Sequence, residues 1–148
     1  MTGAYFRAGV GGVIVDESRR ILVLRRKGAA AGGWQLPQGG IEIGETPGEA
    51  LHREMKEEVG LSPHQLEILS TTRDWLVYEL PPEYRNEKVG WGQVQRWYLC
   101  RLVAASEAVR PDEVEFSEAK WVSAAELVKG AVAFRVPVYE RLVAEFGL

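Results

Sequence analysis

The sequence predicts an α/β fold, or α+β by some schemes, in which strands form the middle of a sandwich and helices lie beside them. Apolar runs of strand length occur on both sides of one helix with clear boundary signals, and an amphipathic segment lies near the C-terminus. No repeat or long Gly/Ser linker divides the 148 residues. A chain of that length suits one hydrophobic core, so we expect a single domain over residues 1–148.

The composition excludes several classes of protein. The chain has 18 basic and 21 acidic residues and a net charge of −3, which argues against a general nucleic-acid coat protein but leaves room for a local phosphate site. The single Cys100 excludes a disulfide scaffold and is expected to be a small buried residue. The N-terminus shows no signal peptide, and no apolar run approaches the roughly 20 residues of a membrane span. We therefore expect a cytoplasmic protein with no membrane association.

The first forty residues read as strands separated by turns. Residues 6–15 and 21–24 have strand character, and the polar residues 16–20 between them predict a hairpin turn. Residues 28–33 are rich in Gly and Ala and indicate a flexible loop. In residues 34–40, Pro and paired Gly interrupt regular structure.

The next segment carries the clearest helix signals in the chain. Thr46 is the expected N-cap, Pro47 occupies the first helical position, and Glu49 completes a capping box. Gly60 is the expected stop. The apolar residues at helical spacing, which predict the buried side, are Ala50, Leu51, Met55 and Val59.

The second half of the chain returns to strands and ends in helices. Residues 66–80 and 93–103 are predicted as two long strands, joined through two prolines and a polar stretch. Residues 119–122 form a short predicted strand, and the capping-box spacing after Ser123 predicts a short helix. The amphipathic residues 136–146 predict the last helix.

One face of the capped helix is strongly acidic. Glu54, Glu57 and Glu58 stand at positions i, i+3 and i+4, which places three carboxylates within one turn. Arg53 alone cannot neutralise them together with Glu45, so the pattern indicates a bound hard cation such as Mg²⁺, Mn²⁺ or Ca²⁺. The absence of a Cys or His cluster disfavours zinc. The alternative is an ordinary solvated face of a Glu-rich helix.

The surroundings of these glutamates resemble the Nudix box, G-x5-E-x7-R-E-U-x-E-E-x-G-U with U aliphatic, at every fixed position from Gly39 to Leu61. The resemblance implies an α/β/α sandwich with a mixed central sheet, and hydrolysis of a nucleoside diphosphate linked to another group. It also implies metal ligation by Glu54, Glu57 and Glu58, with Arg53 and Glu45 orienting those carboxylates. The glycines of the box, Gly39 and Gly60, are expected to shape the backbone.

The flanking stretches resemble one branch of the family, which contains bacterial RNA pyrophosphohydrolases and the bacterial and plant-type asymmetrical dinucleoside tetraphosphatases. The stretches are residues 34–40, 74–81, 92–99, 115–116 with 120–122, and 132–135 with 138–139. The glutamate before Phe in that branch is a further metal ligand or catalytic base and aligns with Glu115. Glu113 and Glu118 are the alternatives in the same acidic segment, which could also be a loop without a catalytic acid.

The resemblance to this branch also implies substrate contacts. Basic, amide and aromatic residues match positions that face phosphates or a base in the branch: Arg7, Arg26, Gln38, Tyr78, Phe134 and Arg135. The arginines could equally be surface residues and the aromatics core residues, and Gln93 with Gln95 could contact substrate or form an exposed strand face. One departure is Ala8-Gly9 after Arg7, where the branch usually has Pro and then a small or polar residue.

The expected function is a Mg²⁺-dependent pyrophosphohydrolase, with Mn²⁺ as a possible substitute. Its expected substrates are nucleoside polyphosphates, either diadenosine polyphosphates or the 5′-triphosphate end of RNA. One alternative is a housecleaning hydrolase of modified nucleoside triphosphates, and another is a nucleotide-binding module without activity. A calcium-binding domain is disfavoured because the glutamates lie in a helix and not on an Asp-rich loop. The length permits a monomer or a homodimer.

Overall fold

The computed structural model describes residues 4–29 and 33–148, which form eight strands and three α-helices. Short 3₁₀ turns lie at residues 63–65, 82–84, 106–108 and 133–135. The elements are β1 (Phe6–Val15), β2 (Ile21–Arg26), β3 (Trp34–Gln35), β4 (Gln38–Gly40), α1 (Pro47–Val59), β5 (Leu66–Thr71), β6 (Leu76–Glu79), β7 (Gly92–Leu102), β8 (Phe116–Val122), α2 (Ala124–Lys129) and α3 (Val136–Phe146).

The strands form one mixed sheet with the order β3-β2-β1-β7-β5. Three further strands attach to this path, because β4 pairs with β1, β6 with β7, and β8 with β2. The central strands β1 and β7 run parallel over ten residue pairs, from Phe6 opposite Gly92 to Val15 opposite Arg101. The other described pairs are antiparallel, so the predicted mixed sheet is confirmed.

Each face of the sheet buries its own hydrophobic core. On one face, Leu51 and Met55 of α1 pack with Ile14 and Cys100 of the central strands. On the other face, Trp97 packs with residues of α2 and α3, and its ring lies edge-on to Tyr139 at 6.2 Å. The helices therefore lie on both sides of the sheet, as the predicted α/β/α sandwich requires.

The boundaries of α1 follow the signals read from the sequence. The Thr46 hydroxyl accepts a hydrogen bond from the Glu49 backbone N–H at 3.2 Å, and the Glu49 carboxylate accepts one from the Thr46 N–H at 2.9 Å. Gly60 ends the helix in the left-handed conformation, with φ at 70°, and its N–H donates to the Lys56 carbonyl. Only glycine adopts this conformation without strain, so the prediction for Gly60 is confirmed.

The prediction of one strand over residues 66–80 is wrong. The chain forms β5 and β6, and between Thr71 and Leu76 it advances five residues opposite only three of β7. The excess residues leave the sheet at Thr72, whose buried backbone N–H donates to the Trp97 carbonyl at 2.9 Å. The Arg73 N–H then donates to the Glu145 carboxylate of α3. Tertiary contacts, and no local signal, therefore interrupt the strand.

The hairpin prediction holds, whereas the irregular segment predicted at residues 34–40 is only partly irregular. β1 and β2 pair next to the turn at residues 16–20, where the Asp16 carboxylate accepts the backbone N–H of Ser18 and Arg20. Residues 34–40, predicted to be irregular, contain the short strands β3 and β4. Of the loop predicted at residues 28–33, residues 30–32 lie outside the described part.

Two further predictions concern burial. Cys100 is fully buried, and burial raises the pKa of its thiol to about 12, as expected for a small core residue. Among residues 4–29 and 33–148, no helix combines the length and the apolar character needed to span a bilayer.

Candidate functional site

The acidic face of α1 packs against the three-residue strand β4. A Cβ on Gly39 would lie 1.9 Å from the Glu54 carboxyl carbon, so only glycine leaves space for that carboxylate. The Gln38 backbone N–H donates to Glu58 Oε2 at 2.9 Å. Both glutamates are buried, at 9% and 5% exposure. Helix α1 thus holds the carboxylates of Glu54 and Glu58 against the backbone of β4.

Arg53 lies at the centre of a hydrogen-bond network. Its Nε donates to Glu45 at 2.6 Å, and one of its terminal nitrogens also donates to Glu45 and to the Gly40 carbonyl. The other terminal nitrogen donates to Glu54 at 2.7 Å and to Glu57 at 3.3 Å. A guanidinium has five N–H donors, and all five have acceptors within this chain. Arg53 therefore joins Glu45, Glu54 and Glu57 in one hydrogen-bond network.

The charge of these groups is unevenly compensated. The hydrogen bond from Arg53 is the main reason that the pKa of Glu45 falls to about 2. Burial has the opposite effect on Glu58, whose pKa rises to about 8, and on Glu54, whose pKa is also raised. The charges of Glu54 and Glu115 raise the pKa of Glu58 further. Burial and the neighbouring carboxylates therefore disfavour the ionised forms of Glu54 and Glu58, and a bound cation would favour them.

Glu115 lies on the loop before β8. The Lys27 backbone N–H donates to its carbonyl at 2.9 Å. Its carboxylate is 45% exposed and lies 3.7 Å from the Arg26 guanidinium. Its negative charge is among the smaller causes that raise the pKa values of Glu54 and Glu58.

The two alternative acids, Glu113 and Glu118, make different contacts. Glu118 pairs with Arg25 at 3.6 Å, and Glu113 lines a separate cavity of about 360 Å³ together with Phe116 and Trp121. Neither acid contributes to the pKa shifts of Glu54 and Glu58.

The donor set suits a hard divalent cation. Among residues 4–29 and 33–148, no three His, Cys, Asp or Glu side chains are grouped so that they could hold a metal ion as they stand. Arg53, the Gln38 N–H and Arg26 each engage a carboxylate that the sequence assigns to metal. The oxygens are carboxylates, however, and a bound Mg²⁺ or Mn²⁺ would favour the ionised forms that burial disfavours. The exposed Glu57 has the freedom to turn toward such an ion.

Arg7 lies on the other side of β4. A Cβ on Gly40 would approach the Arg7 guanidinium to 2.3 Å, so this second glycine makes room for the arginine. Arg7 is exposed and stands opposite Gln93 of β7, which stands opposite Tyr78 of β6. Arg7 thus lies on the strand that pairs with β4, one strand from Gln93 and two from Tyr78.

A chain of amide hydrogen bonds runs from β4 into the sheet. The Gln95 side-chain nitrogen donates to the Gln38 side-chain oxygen at 2.8 Å and to the Gln93 side chain at 3.0 Å. The Gln95 oxygen accepts from the Trp97 indole N–H at 3.2 Å. Gln95 is fully buried, so the interpretation of Gln93 and Gln95 as one exposed strand face is wrong for Gln95.

The predicted aromatic residues lie together. The rings of Tyr78 and Phe134 are 5.5 Å apart with an interplanar angle of 31°, and Tyr78 is 7% exposed. The Arg135 guanidinium lies 5.1 Å from the Phe134 ring and donates to the Gln35 side-chain oxygen at 3.0 Å. Tyr78 is thus part of the core as well as a neighbour of Phe134 and Arg135.

Sequence reasoning missed two residues at this place. Gln35 is 2% exposed, and its side-chain nitrogen has no partner in the described part of the chain, although its oxygen binds Arg135. The Tyr139 hydroxyl accepts the Leu36 backbone N–H at 2.9 Å, and burial raises the pKa of Tyr139 to about 12. A polar residue within the apolar stripe of α3 was the only available signal for Tyr139.

The fold and site define a class of α/β/α domain that gathers carboxylates from one capped helix beside a glycine-containing strand. The model of the NUDIX domain matches residues 5–142. RNA pyrophosphohydrolases from Tolumonas auensis and Halorhodospira halophila are 41% and 42% identical to this chain, covering 97% and 95% of it and 86% and 79% of those proteins. This chain therefore belongs to the Nudix family and is a Nudix hydrolase.

Solved structures share the fold. A C. elegans Ap4A hydrolase matches with a TM-score of 0.71 at 23% identity, covering 95% of this chain and 98% of its own. The E. coli dihydroneopterin triphosphate pyrophosphohydrolase matches with a TM-score of 0.76 at 23% identity, covering 97% and 99%. At this identity the likeness describes the architecture of the sandwich.

Proposed function

We propose that this Nudix hydrolase cleaves a phosphoanhydride bond of a nucleoside polyphosphate, using Mg²⁺ or Mn²⁺. Its proposed substrates are the 5′-triphosphate end of RNA, from which it would release pyrophosphate, and diadenosine polyphosphates. The observation that carries the proposal is the pair of buried carboxylates, Glu54 and Glu58, which are held against β4 and whose pKa values are raised by burial. The names of the relatives at about 40% identity support the RNA substrate. We propose that residues 1–148 act as one Nudix domain.

The proposed metal ligands are Glu54, Glu57, Glu58 and Glu115. A bound divalent cation would neutralise phosphate oxygens and lower the pKa of a water molecule for attack. The proposed catalytic acids are Glu57, Glu58 and Glu115. Glu58 is buried, whereas the side chains of Glu57 and Glu115 are accessible to solvent and could exchange a proton with it. Glu115 is preferred over its neighbours because its charge acts on Glu54 and Glu58.

Arg53 is proposed to act through these carboxylates. Its five donors are engaged by this chain, so it fixes the orientation of Glu54 and Glu45 and leaves phosphate binding to other cations. Arg7 and Arg26 are the proposed phosphate ligands, because Arg7 lies against Gly40 and Arg26 lies beside Glu115.

The nucleoside is proposed to bind on the other side of β4. Tyr78 and Phe134 offer aromatic surface for a base, Arg135 offers a cation beside Phe134, and Gln38 offers an amide next to the acidic site. Housecleaning of modified nucleoside triphosphates is the second enzymatic reading. A nucleotide-binding module without activity is disfavoured, since every acid of the Nudix box is present in this chain.

The test compares kcat/KM for a 5′-triphosphorylated RNA, diadenosine tetraphosphate and the ordinary and oxidised nucleoside triphosphates, each with Mg²⁺. We expect activity on one or both of the first two substrates, and its loss on addition of EDTA. Glu57→Gln should lower kcat by on the order of 10²–10⁴ while leaving the melting temperature near that of the wild type. Activity restricted to oxidised mononucleotides, or retained in Glu57→Gln, would contradict the proposal.

A further inference from the structure

An exposed aromatic strip continues from the proposed base-binding rings. The ring of Tyr84 lies 6.0 Å from the ring of Phe134, on a 3₁₀ turn that follows β6. The next residue, Arg85, places its guanidinium 4.2 Å from the centre of the Trp91 ring. We define Tyr84, Arg85 and Trp91 as the aromatic strip. It joins the site at Phe134 and leads away from the acidic helix.

The strip differs from the core aromatics in its exposure. Tyr84 is 58% exposed and Trp91 is 45% exposed, whereas Tyr78 is 7% exposed. Core packing therefore does not account for the two outer rings. Exposed aromatic residues that lie in one patch mark binding surfaces more often than scattered ones do.

Backbone hydrogen bonds order the strip. The Trp91 N–H donates to the Tyr5 carbonyl at 2.9 Å, and the Leu80 N–H donates to the Trp91 carbonyl at 2.8 Å. The loop before Trp91 is closed by the Gly90 N–H, which donates to the Asn86 carbonyl at 2.8 Å. Since both the start and the end of the loop are tied to the sheet, the entropic cost of ordering its backbone on binding a ligand is small.

The charges around the strip are mixed, so a ligand would be held here through its rings and not through phosphate groups. Acidic and basic side chains alternate over residues 79–91, with Glu79, Glu83 and Glu87 against Arg85 and Lys88. The Arg85 guanidinium also lies 3.9 Å from the Glu79 carboxylate. This surface has no excess of positive charge for a polyphosphate. Flat rings beside a guanidinium suit the faces of nucleobases, which stack on aromatic residues with little dependence on sequence.

We propose that the aromatic strip binds the bases of nucleotides downstream of an RNA 5′ end. This inference rests on the proposed function, and it selects single-stranded RNA ends over dinucleoside polyphosphates as the substrate class. When one base lies against Tyr78 and Phe134, an RNA chain supplies further bases to Tyr84 and Trp91. A dinucleoside polyphosphate has only one other base, separated from the first by the polyphosphate itself.

The first test is the dependence of activity on RNA length. Wild-type kcat/KM should be about tenfold higher for a 5′-triphosphorylated octamer than for the dinucleotide with the same first two bases, as expected from one or two stacked bases. Trp91→Ala and Tyr84→Ala should move this ratio toward one, and Tyr84→Phe should keep it. The control is Trp75→Ala, because Trp75 is a similarly exposed tryptophan, at 38%, at the other end of β6. That variant should keep the wild-type ratio.

A binding measurement separates this inference from the proposed function. The anisotropy of a 5′-monophosphorylated octamer with a 3′ fluorophore needs no turnover, and Trp91→Ala should weaken its binding about tenfold relative to Trp75→Ala. Weakened binding without hydrolysis of any triphosphate would support the strip and overturn the proposed function. Hydrolysis with equal kcat/KM for octamer and dinucleotide would overturn the strip and leave the proposed function standing. A dimer in gel filtration that Trp91→Ala dissociates would also overturn the inference, since a second copy would then cover the strip.

Discussion

The four acidic side chains of the candidate site come from two kinds of structure. Glu54 and Glu58 project from a helix, are buried, and have raised pKa values because of that burial. Glu115 projects from a loop and is half exposed beside Arg26. The helix fixes the separation of its carboxylates by its own geometry, whereas the position of Glu115 depends on contacts made across the fold. The helix can hold carboxylates where water is excluded, whereas the loop supplies a carboxylate that can move.

The loop is nevertheless fastened to the helix. The Arg110 N–H donates to the Val59 carbonyl at 2.8 Å, and the Asp112 N–H donates to the Glu58 carbonyl at 2.9 Å. These carbonyls belong to the last turn of α1, which has no internal donors for them. Glu58 therefore contacts β4 with its side chain and the Glu115 loop with its backbone.

The largest effect is expected at Gly39, where the Glu54 carboxylate of α1 leaves no space for a side chain. Gly39→Ala would place a methyl group against the Glu54 carboxylate and displace it, so kcat should fall by on the order of 10² or more. The same overpacking should lower the free energy of unfolding by about 1–3 kcal/mol. The control is Gly48→Ala in α1, where a Cβ meets nothing within 4 Å and should stabilise the protein by about 0.5–1 kcal/mol. Wild-type kcat in Gly39→Ala would show that Glu54 needs no fixed position.

A smaller loss is expected from the loop. Glu115→Gln should lower kcat by on the order of 10², the lower end of the range for a catalytic acid or base, because water can reach this half-exposed carboxylate and partly replace it. Glu113→Gln and Glu118→Gln are the matched controls from the same acidic segment, and each should leave kcat near the wild-type value. If either control loses more activity than Glu115→Gln, the assignment of Glu115 is wrong and that residue takes its place.

The smallest effect concerns stability at different pH values. The Arg53 hydrogen bond lowers the pKa of Glu45 from 4.5 to about 2, so the stabilisation exists above pH 4.5 and disappears as the pH falls toward 2. The melting temperature of Glu45→Gln should therefore lie below that of the wild type near neutral pH, and the difference should vanish near pH 2. Glu67→Gln removes a half-exposed ion pair with Arg101 and serves as the control. If the two melting temperatures differ equally at every pH, the charge of Glu45 is not the cause of the difference.

The sequence predicted the elements whose causes are local. The limits of α1 follow from Thr46, Pro47 and Gly60, and the side chains that form the caps lie within a few residues of the backbone they bind. The break between β5 and β6 has no such signal, because it depends on contacts of Thr72 with Trp97 and of Arg73 with Glu145. These partners lie more than twenty residues away, where no periodic pattern in the sequence reports them.

The same distinction applies to the site. The spacing of Glu54, Glu57 and Glu58 predicts their shared face, because helical geometry converts spacing into position. Gln35 and Tyr139 escaped prediction because their partners, Arg135 and Leu36, are about a hundred residues away in the chain. The packing of Gly39 against Glu54 likewise becomes visible only when β4 is placed beside α1.

The parallel pairing of β1 with β7 has a consequence for how the chain folds. Residues 6–15 leave the ribosome early, but their central partner, residues 92–101, follows only after more than half of the chain has been made. Contacts between distant segments form slowly, because the loop between them must first be closed. Until then the apolar strand β1 lacks its longest neighbour and is open to pairing with other chains. A nascent chain that stops before Gly92 should therefore aggregate, whatever the stability of the finished sheet.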